Sequence, residues 1–426
     1  MTRWRWLMSQ LLRKLWLRAT CFALLGVFSA VVAIWAQNLI PWQVADWIGS
    51  DAVDSLLNII ASSMLAVTTF SLSVMNSAYS AATTNVTPRA TRLLVEDRLA
   101  QNVLSTFIGS FLFSIVGIIV LRTGAYGPGG RAVLFLVTIA VVAVIVIMLL
   151  RWIEHLTRLG RVGETTQRVE QATHRALRDR LDDPWLGGVA LTPERATVPG
   201  DAMTVLAGQI GYLQHIDMFA LSDCADKAGC DIHLLHNPGA FLYPDSVLAW
   251  ARWPQGDAQT RQDFRQGVRA AFTLGDTRLF DQDPRFGLAV LSEIGSRALS
   301  PATNDPGTAI DVIGRATRLL AEWGGADLRG AAAEPPHPRV HVPPLTDADL
   351  FEDAFMLMAR DGAGLIEVQL RLQKSLAALA RLGPDSFRAA ARDQAALALA
   401  RAESGLTQPQ DLARLRAEIA ASAGPA

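Results

Sequence analysis

Four stretches of this chain are too long, too apolar and too free of charge for a water-soluble core. They run about Ala19 to Ile40, Ala52 to Ala78, Val103 to Leu121 and Ala132 to Ile153. A hydrocarbon layer of ~30 Å needs roughly 20 apolar residues of helix at ~1.5 Å rise per residue. Each stretch meets that length. Nearly all Asp and Glu lie beyond Arg151, so the first third reads as an α-helical membrane domain of four transmembrane helices. The remainder reads as a cytoplasmic α+β domain.

The flanking charges give an orientation. Arg3, Arg5, Arg13, Lys14 and Arg18 precede the first stretch, and Gln37 to Asp51 holds no Lys or Arg. Arg89, Arg92 and Arg98 follow the second, and Arg151, Arg158, Arg161 and Arg168 follow the fourth. Arg122 and Arg131, between the third and fourth, are a modest exception. The positive-inside rule then puts both termini in the cytoplasm. Trp16 and Trp152 would mark the inner interface, and Trp35, Trp42 and Trp47 the outer one. A cleaved signal peptide is the competing reading of the first stretch. The run is long for one, and Ala33-Ile34-Trp35-Ala36 is a poor cleavage site, which favours an uncleaved anchor. The lipid bilayer is thus the first expected partner. A net charge of −1 gives no ground for nucleic-acid binding.

The second stretch is the most polar. Asp51, Ser55, Asn58, Ser62, Thr69, Ser73, Asn76 and Ser80 recur at helical spacing and share a face. In hydrocarbon such groups need partners, so this face is expected to look at protein or water. Two readings follow: close helix packing, or a water-lined path formed when a homo-oligomer brings the helix to a common axis. No charged residue lies between Asp54 and Arg89, which argues against a voltage sensor or proton relay there. Thr87-Pro88 starts a helix expected to run from Pro88 to Ala100 along the inner surface, with Arg89 and Arg92 near lipid phosphates. The fourth stretch is expected to continue unbroken from Arg151 to Leu181, a helical stalk over about 154–183. His155 is expected to lie on its surface near headgroups.

Residues 184–254 read as a small β-rich domain, with strands at Met203 to Leu213, Asp231 to Leu235 and Val247 to Trp250 and a helix at Ile216 to Lys227. Asn237 to Ala249 looks like the hairpin of lipoyl- or biotinyl-type folds, without the carrier lysine. Residues 255–426 read as a helical cytoplasmic domain. Its helices are expected at Phe264 to Phe272, Pro284 to Leu299, Thr308 to Glu322, Asp347 to Met358, Gly364 to Leu382, Ser386 to Arg401 and Asp411 to Ala421. A Gly-, Ala- and Pro-rich flexible linker is expected at 324–346.

The best candidate site combines Arg278, Asp281 and Asp283 with Arg297, Ser300, Asn304 and Asp305. Asn304 and Asp305 can cap a helix starting at Pro306. The arginines can pair with Asp281, Asp283 or Asp305. The residues suit either a cap-and-salt-bridge knot or a small anionic ligand held by arginines and a helix N-terminus. No nucleophile–base set, P-loop, GxSxG, HExxH or paired CxxC occurs, so neither an enzyme class nor a cofactor is expected. Three cysteines, Cys21, Cys224 and Cys230, make no disulfide framework, and with the histidines no metal site.

Several blocks carry a family resemblance. They are Pro88-Arg89 through Asp97-Arg98 to Gln101, Trp152-Ile153-Glu154-His155 with Arg158, and Phe280-Asp281-Gln282-Asp283-Pro284 with Phe286-Gly287-Leu288. The most specific is Arg297-Ala-Leu-Ser-Pro-Ala-Thr-Asn-Asp-Pro306 with Thr308-Ala309. Together they resemble the bacterial membrane proteins grouped as domain of unknown function 2254, over most of the chain up to Glu322. The resemblance implies a bacterial inner-membrane setting and brings no activity with it. Three function classes remain: an oligomeric channel or transport-like module with a cytoplasmic regulatory domain; an anchored sensor or scaffold that binds a small anionic ligand or a protein partner at the Arg278–Asp305 region; and an enzyme with that same region catalytic, which no recognised constellation supports.

Overall fold

The computed structural model describes residues 50–95, 97–123, 128–157, 160–252, 258–326 and 334–422, with Thr20, Cys21, Leu24, Val27 and Phe28. The first expected span therefore lies outside the described residues, those five positions apart, as do residues 124–127 before the fourth. Two compact units emerge. One contains Thr91–Glu164 and the described residues up to Thr84; the other contains Asn85–Ala90 and the described residues from Thr165 onward.

The first unit is helical: α1 (Ser50–Asn85), α2 (Pro88–Val95), α3 (Arg98–Arg122) and α4 (Pro128–Leu156). Three segments, Ala52–Ala81, Leu99–Arg122 and Gly130–Leu156, are long and apolar enough to cross a membrane. Val53, Leu57, Phe113 and Leu134 form one buried cluster between them. Ile60, Met64, Val103, Phe107, Ile145 and Trp152 form a second. The outer side of α4 leaves Ile139, Ile147, Leu150 and Ile153 exposed, an arrangement unfavourable in water and suited to lipid.

Three expectations about this unit change. The helix expected from Pro88 to Ala100 is two: Asp97 leaves the helix, and its Oδ1 accepts from Leu99 N at 2.8 Å, capping α3 as a new helix. The expected stalk is not continuous with α4. Gly160, at φ +81°, takes the left-handed conformation that ends helices, and α5 (Val162–Asp182) starts afresh after it. His155 is not on the surface: its side chain is 10% exposed and packs beside Trp152, which is 2% exposed.

The second unit holds α5, two small sheets and a helical layer. A five-stranded sheet is formed by β1 (Val189–Ala190), β2 (Met203–Leu206), β4 (Ile232–Leu234), β6 (Val247–Ala251) and β8 (Val340–Val342), in the order β1-β8-β4-β6-β2. A three-stranded sheet is formed by β3 (Gly211–Ile216), β5 (Phe241–Leu242) and β7 (Phe272–Gly275), in the order β5-β3-β7. Both sheets take a strand from beyond residue 254. The buried strand β8 lies inside the stretch expected to be a flexible linker; three residues flanked by prolines give no readable alternation. The expected lipoyl-like hairpin does not form, because β5 pairs with β3 while β6 pairs with β2 and β4.

Helices α6 (Met218–Ala228) and α7 (Ala258–Ala270) cover the sheets. The helical layer comprises α8 (Pro284–Ala298), α9 (Pro306–Gly325), α10 (Asp347–Asp361), α11 (Ile366–Leu379), α12 (Asp385–Gly405) and α13 (Pro409–Ser422), close to the expected positions. Helix α8 packs on α9 and α10, and α10 on α12. Asp283 caps α8 and Asp305 caps α9, each followed by proline at the first helical position.

The approach of α5 to α8 depends on one glycine. A Cβ at Gly287 would lie 2.1 Å from Thr173 Oγ1, a buried hydroxyl on α5. Gly287→Ala is expected to lower stability by about 1–3 kcal/mol. Gly314→Ala, on α9 with no atom within 4 Å of its Cβ, is expected to raise it by about 0.5–1 kcal/mol. Thermal melts of the two variants check the pair.

Candidate functional site

The seven residues expected to share one site fall at opposite ends of α8. Arg278, Asp281 and Asp283 lie at its start; Arg297, Ser300, Asn304 and Asp305 lie at its end. Its 15 residues hold the two groups about 22 Å apart.

At the start, Asp283 is 3% exposed and accepts from Phe286 N at 3.0 Å. Arg278 grips it with two parallel bonds, Nε to Oδ2 at 2.8 Å and Nη2 to Oδ1 at 3.0 Å, and its guanidinium lies 5.1 Å over the Phe286 ring. Buried Arg180 approaches from α5; burial pulls its pKa down to about 10, opposed by the charge of Asp283. Asn237 accepts weakly from Arg180 and donates to the carbonyls of Pro343 and Pro344 at 3.0 and 3.2 Å. Gly239, at φ +100°, lies so near that a Cβ would sit 2.1 Å from Asp283 Oδ2. The carboxylate thus joins α5, the loop before β5 and α8. Asp281 is half-buried beside it.

At the other end, residues 301–305 and Arg297 are exposed. Ser300 Oγ donates to Thr303 Oγ1 at 3.2 Å, and Asn304, at φ +48°, donates its N–H to the Ser300 carbonyl at 2.8 Å. Asp305 accepts from the Thr308 hydroxyl at 2.6 Å and from Thr308 N at 3.0 Å, and those bonds hold its carboxyl below the usual range.

On α1 the polar positions named from the sequence lie beside exposed apolar Ile59, Leu65, Phe70 and Leu72. Ser55, Asn58, Ser62, Thr69, Ser73 and Asn76 are exposed, while Val53, Leu57, Ile60, Met64, Thr68 and Ser71 are buried. Three of these hydroxyl protons are used within the helix. Ser62 donates to the Asn58 carbonyl at 2.9 Å, Thr69 to Leu65 at 3.1 Å and Ser73 to Thr69 at 3.0 Å. Asn58 Nδ2 donates to the Asp54 carbonyl at 2.8 Å. Of the juxtamembrane arginines, Arg89 pairs with Glu293 on α8 and Arg92 is exposed.

Sequence reasoning missed a stack of rings on the five-stranded sheet. His233 lies 3.9 Å from Trp250 and 4.5 Å from His341, both nearly parallel to it, because β4, β6 and β8 bring them into register. Only the strand pairing would have revealed it. Burial lowers the pKa of both histidines, that of His233 to about 4. Cys224 and Cys230 are free thiols pushed up by burial, Cys230 to about 11, which makes them poor nucleophiles. Among the described residues, no group of three or more His, Cys, Asp or Glu could hold a metal ion.

Three bilayer-length apolar helices mark a membrane protein that also carries a mixed helical and β unit. The chain belongs to the family described as predicted membrane protein (DUF2254), whose model matches residues 13–378. Uncharacterised proteins of Mycobacterium bovis and Mycobacterium tuberculosis are each 37% identical to it over 117 residues, 27% of this chain. The match spans only 22% of the length of these curated relatives. No solved structure matches the chain.

Two predictions follow from the geometry. Asp283→Ala leaves buried Arg180 and half-buried Arg278 without their carboxylate and is expected to cost about 3–5 kcal/mol, against about 1 kcal/mol for Asp305→Ala at an exposed cap; denaturant titration compares them. The stacked histidines are held neutral, so the unfolded chain binds protons first. Stability is expected to be full above pH 6.5 and to fall by about 2 kcal/mol, allowing for solvent screening, as pH drops toward 4. Melting across that range is expected to flatten in His233→Phe.

Proposed function

We propose that this protein is a multi-pass component of the bacterial inner membrane, with both termini on the cytoplasmic face, that assembles as a homo-oligomer around a water-filled path lined by α1. The unit from Thr165 onward regulates that path. One observation carries the reading: α1 turns its apolar side to α3 and α4 and leaves exposed a stripe of Ser55, Asn58, Ser62, Thr69, Ser73 and Asn76. Back-bonding uses the hydroxyl protons, but the oxygen lone pairs and the amide of Asn58 still favour water or another polar helix over lipid.

The purified full-length protein in planar bilayers and in ion-loaded liposomes tests this. The expected result is ion or solute flux that Asn58→Leu and Ser62→Leu sharply reduce while the assembly, measured by light scattering, stays intact. An intact oligomer that conducts nothing under voltage, tension or ligand screens would overturn it. That outcome would favour an anchored sensor or scaffold that binds a small anion or a protein partner through the exposed Arg297–Asp305 segment.

A further inference from the structure

We propose that Arg180 is the donor of a buried binding site for a small monovalent anion of the halide class, beside the start of α8. Arg180 lies in the last turn of α5 and is 5% exposed. An arginine that deep is rare unless a carboxylate meets it. Two other guanidinium groups at this place have one. Arg278 holds Asp283 through two bonds, and Arg285 lies 2.6 Å from Asp353 and 3.0 Å from Asp349. Arg180 has no carboxylate within ion-pair reach among the described residues. Its bond runs from Nη2 to Asn237 Oδ1 at 3.4 Å. A guanidinium carries five N–H donors, so most of its hydrogen-bonding capacity is unspent.

The surroundings do not make up the difference. Asp283 is the charge that acts on Arg180, but one of its oxygens takes Arg278 Nε and the other takes Arg278 Nη2 and Phe286 N. It supplies charge and no hydrogen bond. The Asn237 amide donates to the carbonyls of Pro343 and Pro344, which leaves a neutral oxygen toward the arginine. Asp179, Asp182 and Asp183 are exposed. With a pKa of about 10, Arg180 stays charged at neutral pH, and a buried charge without a close partner is costly. Three features set the class of ion that relieves this. The side chain is nearly closed off from solvent, so the ion is small. The negative charge of Asp283 disfavours a dianion such as phosphate. The groups on offer are N–H donors, which a halide accepts from any direction.

The site is independent of the path along α1. It is tested on the full-length protein in lipid nanodiscs, with gluconate exchanged for chloride at constant ionic strength. The wild-type melting temperature is expected to rise with the logarithm of chloride concentration as the site fills. Arg180→Met keeps the length of the side chain and removes its charge. That variant is expected to lose the chloride dependence and to melt at or above the wild type in gluconate. The chloride NMR line is expected to broaden with the wild type, and to sharpen when bromide is added but not when phosphate is. A chloride response shared by Arg180→Met would place the ion elsewhere and overturn the assignment. So would a variant that melts far below the wild type in gluconate or fails to fold there, because the protein alone would then satisfy the guanidinium. A chloride line that bromide does not sharpen, or phosphate that matches chloride in the melts, would overturn the halide class.

Discussion

The polar groups of a helix in hydrocarbon must find partners inside the protein, and α1 shows how far one helix can go toward meeting that demand alone. Its Ser and Thr hydroxyls bond carbonyls one turn back, which lets the helix remain regular over 36 residues despite its polarity. That local solution frees the opposite side to carry Val53, Leu57, Ile60 and Met64 into the contacts with α3 and α4. The result is a helix with one side fixed by packing and one side exposed, where the polar stripe runs beside Ile59, Leu65, Phe70 and Leu72. The bundle and the proposed path both depend on that two-sidedness.

The larger unit rests on a different kind of joint. Its sheets are small and take strands from distant parts of the chain, and its helices are mostly joined by short turns. Asp283 supplies a common fixed point, since one buried carboxylate caps α8, binds Arg278 in a fork and closes against the loop at Gly239. A group so fully engaged has no capacity left for a ligand. The polar surface at the other end of α8, around Arg297 and Ser300–Asp305, is exposed.

Much of this was legible in the residues. Apolar length located the three described membrane-capable helices, and periodicity with Asp-Pro starts located α8 to α13 within a few positions. What escaped was what depends on contacts between distant segments. Strands of two to six residues such as β5 and β8 carry too few positions to show alternation. Nothing local ties His233 to His341. The break at Gly160 was hidden because one glycine in a helix-favouring run is an ambiguous signal until its φ is known. The single candidate site divided for a simpler reason: its residues flank a helix whose length sets them far apart.

The central claim is that the exposed stripe of α1 faces water or polar protein, not lipid. Cysteine scanning along α1, after replacing Cys21, Cys224 and Cys230, with a membrane-impermeant thiol reagent in sealed vesicles, measures this directly. The account predicts reaction at positions 55, 58, 62, 69, 73 and 76, with a helical period, and protection at exposed but apolar Ile59 and Phe70. Uniform protection of the mid-helix positions 62 to 73, with the reagent reaching only the ends, would contradict it.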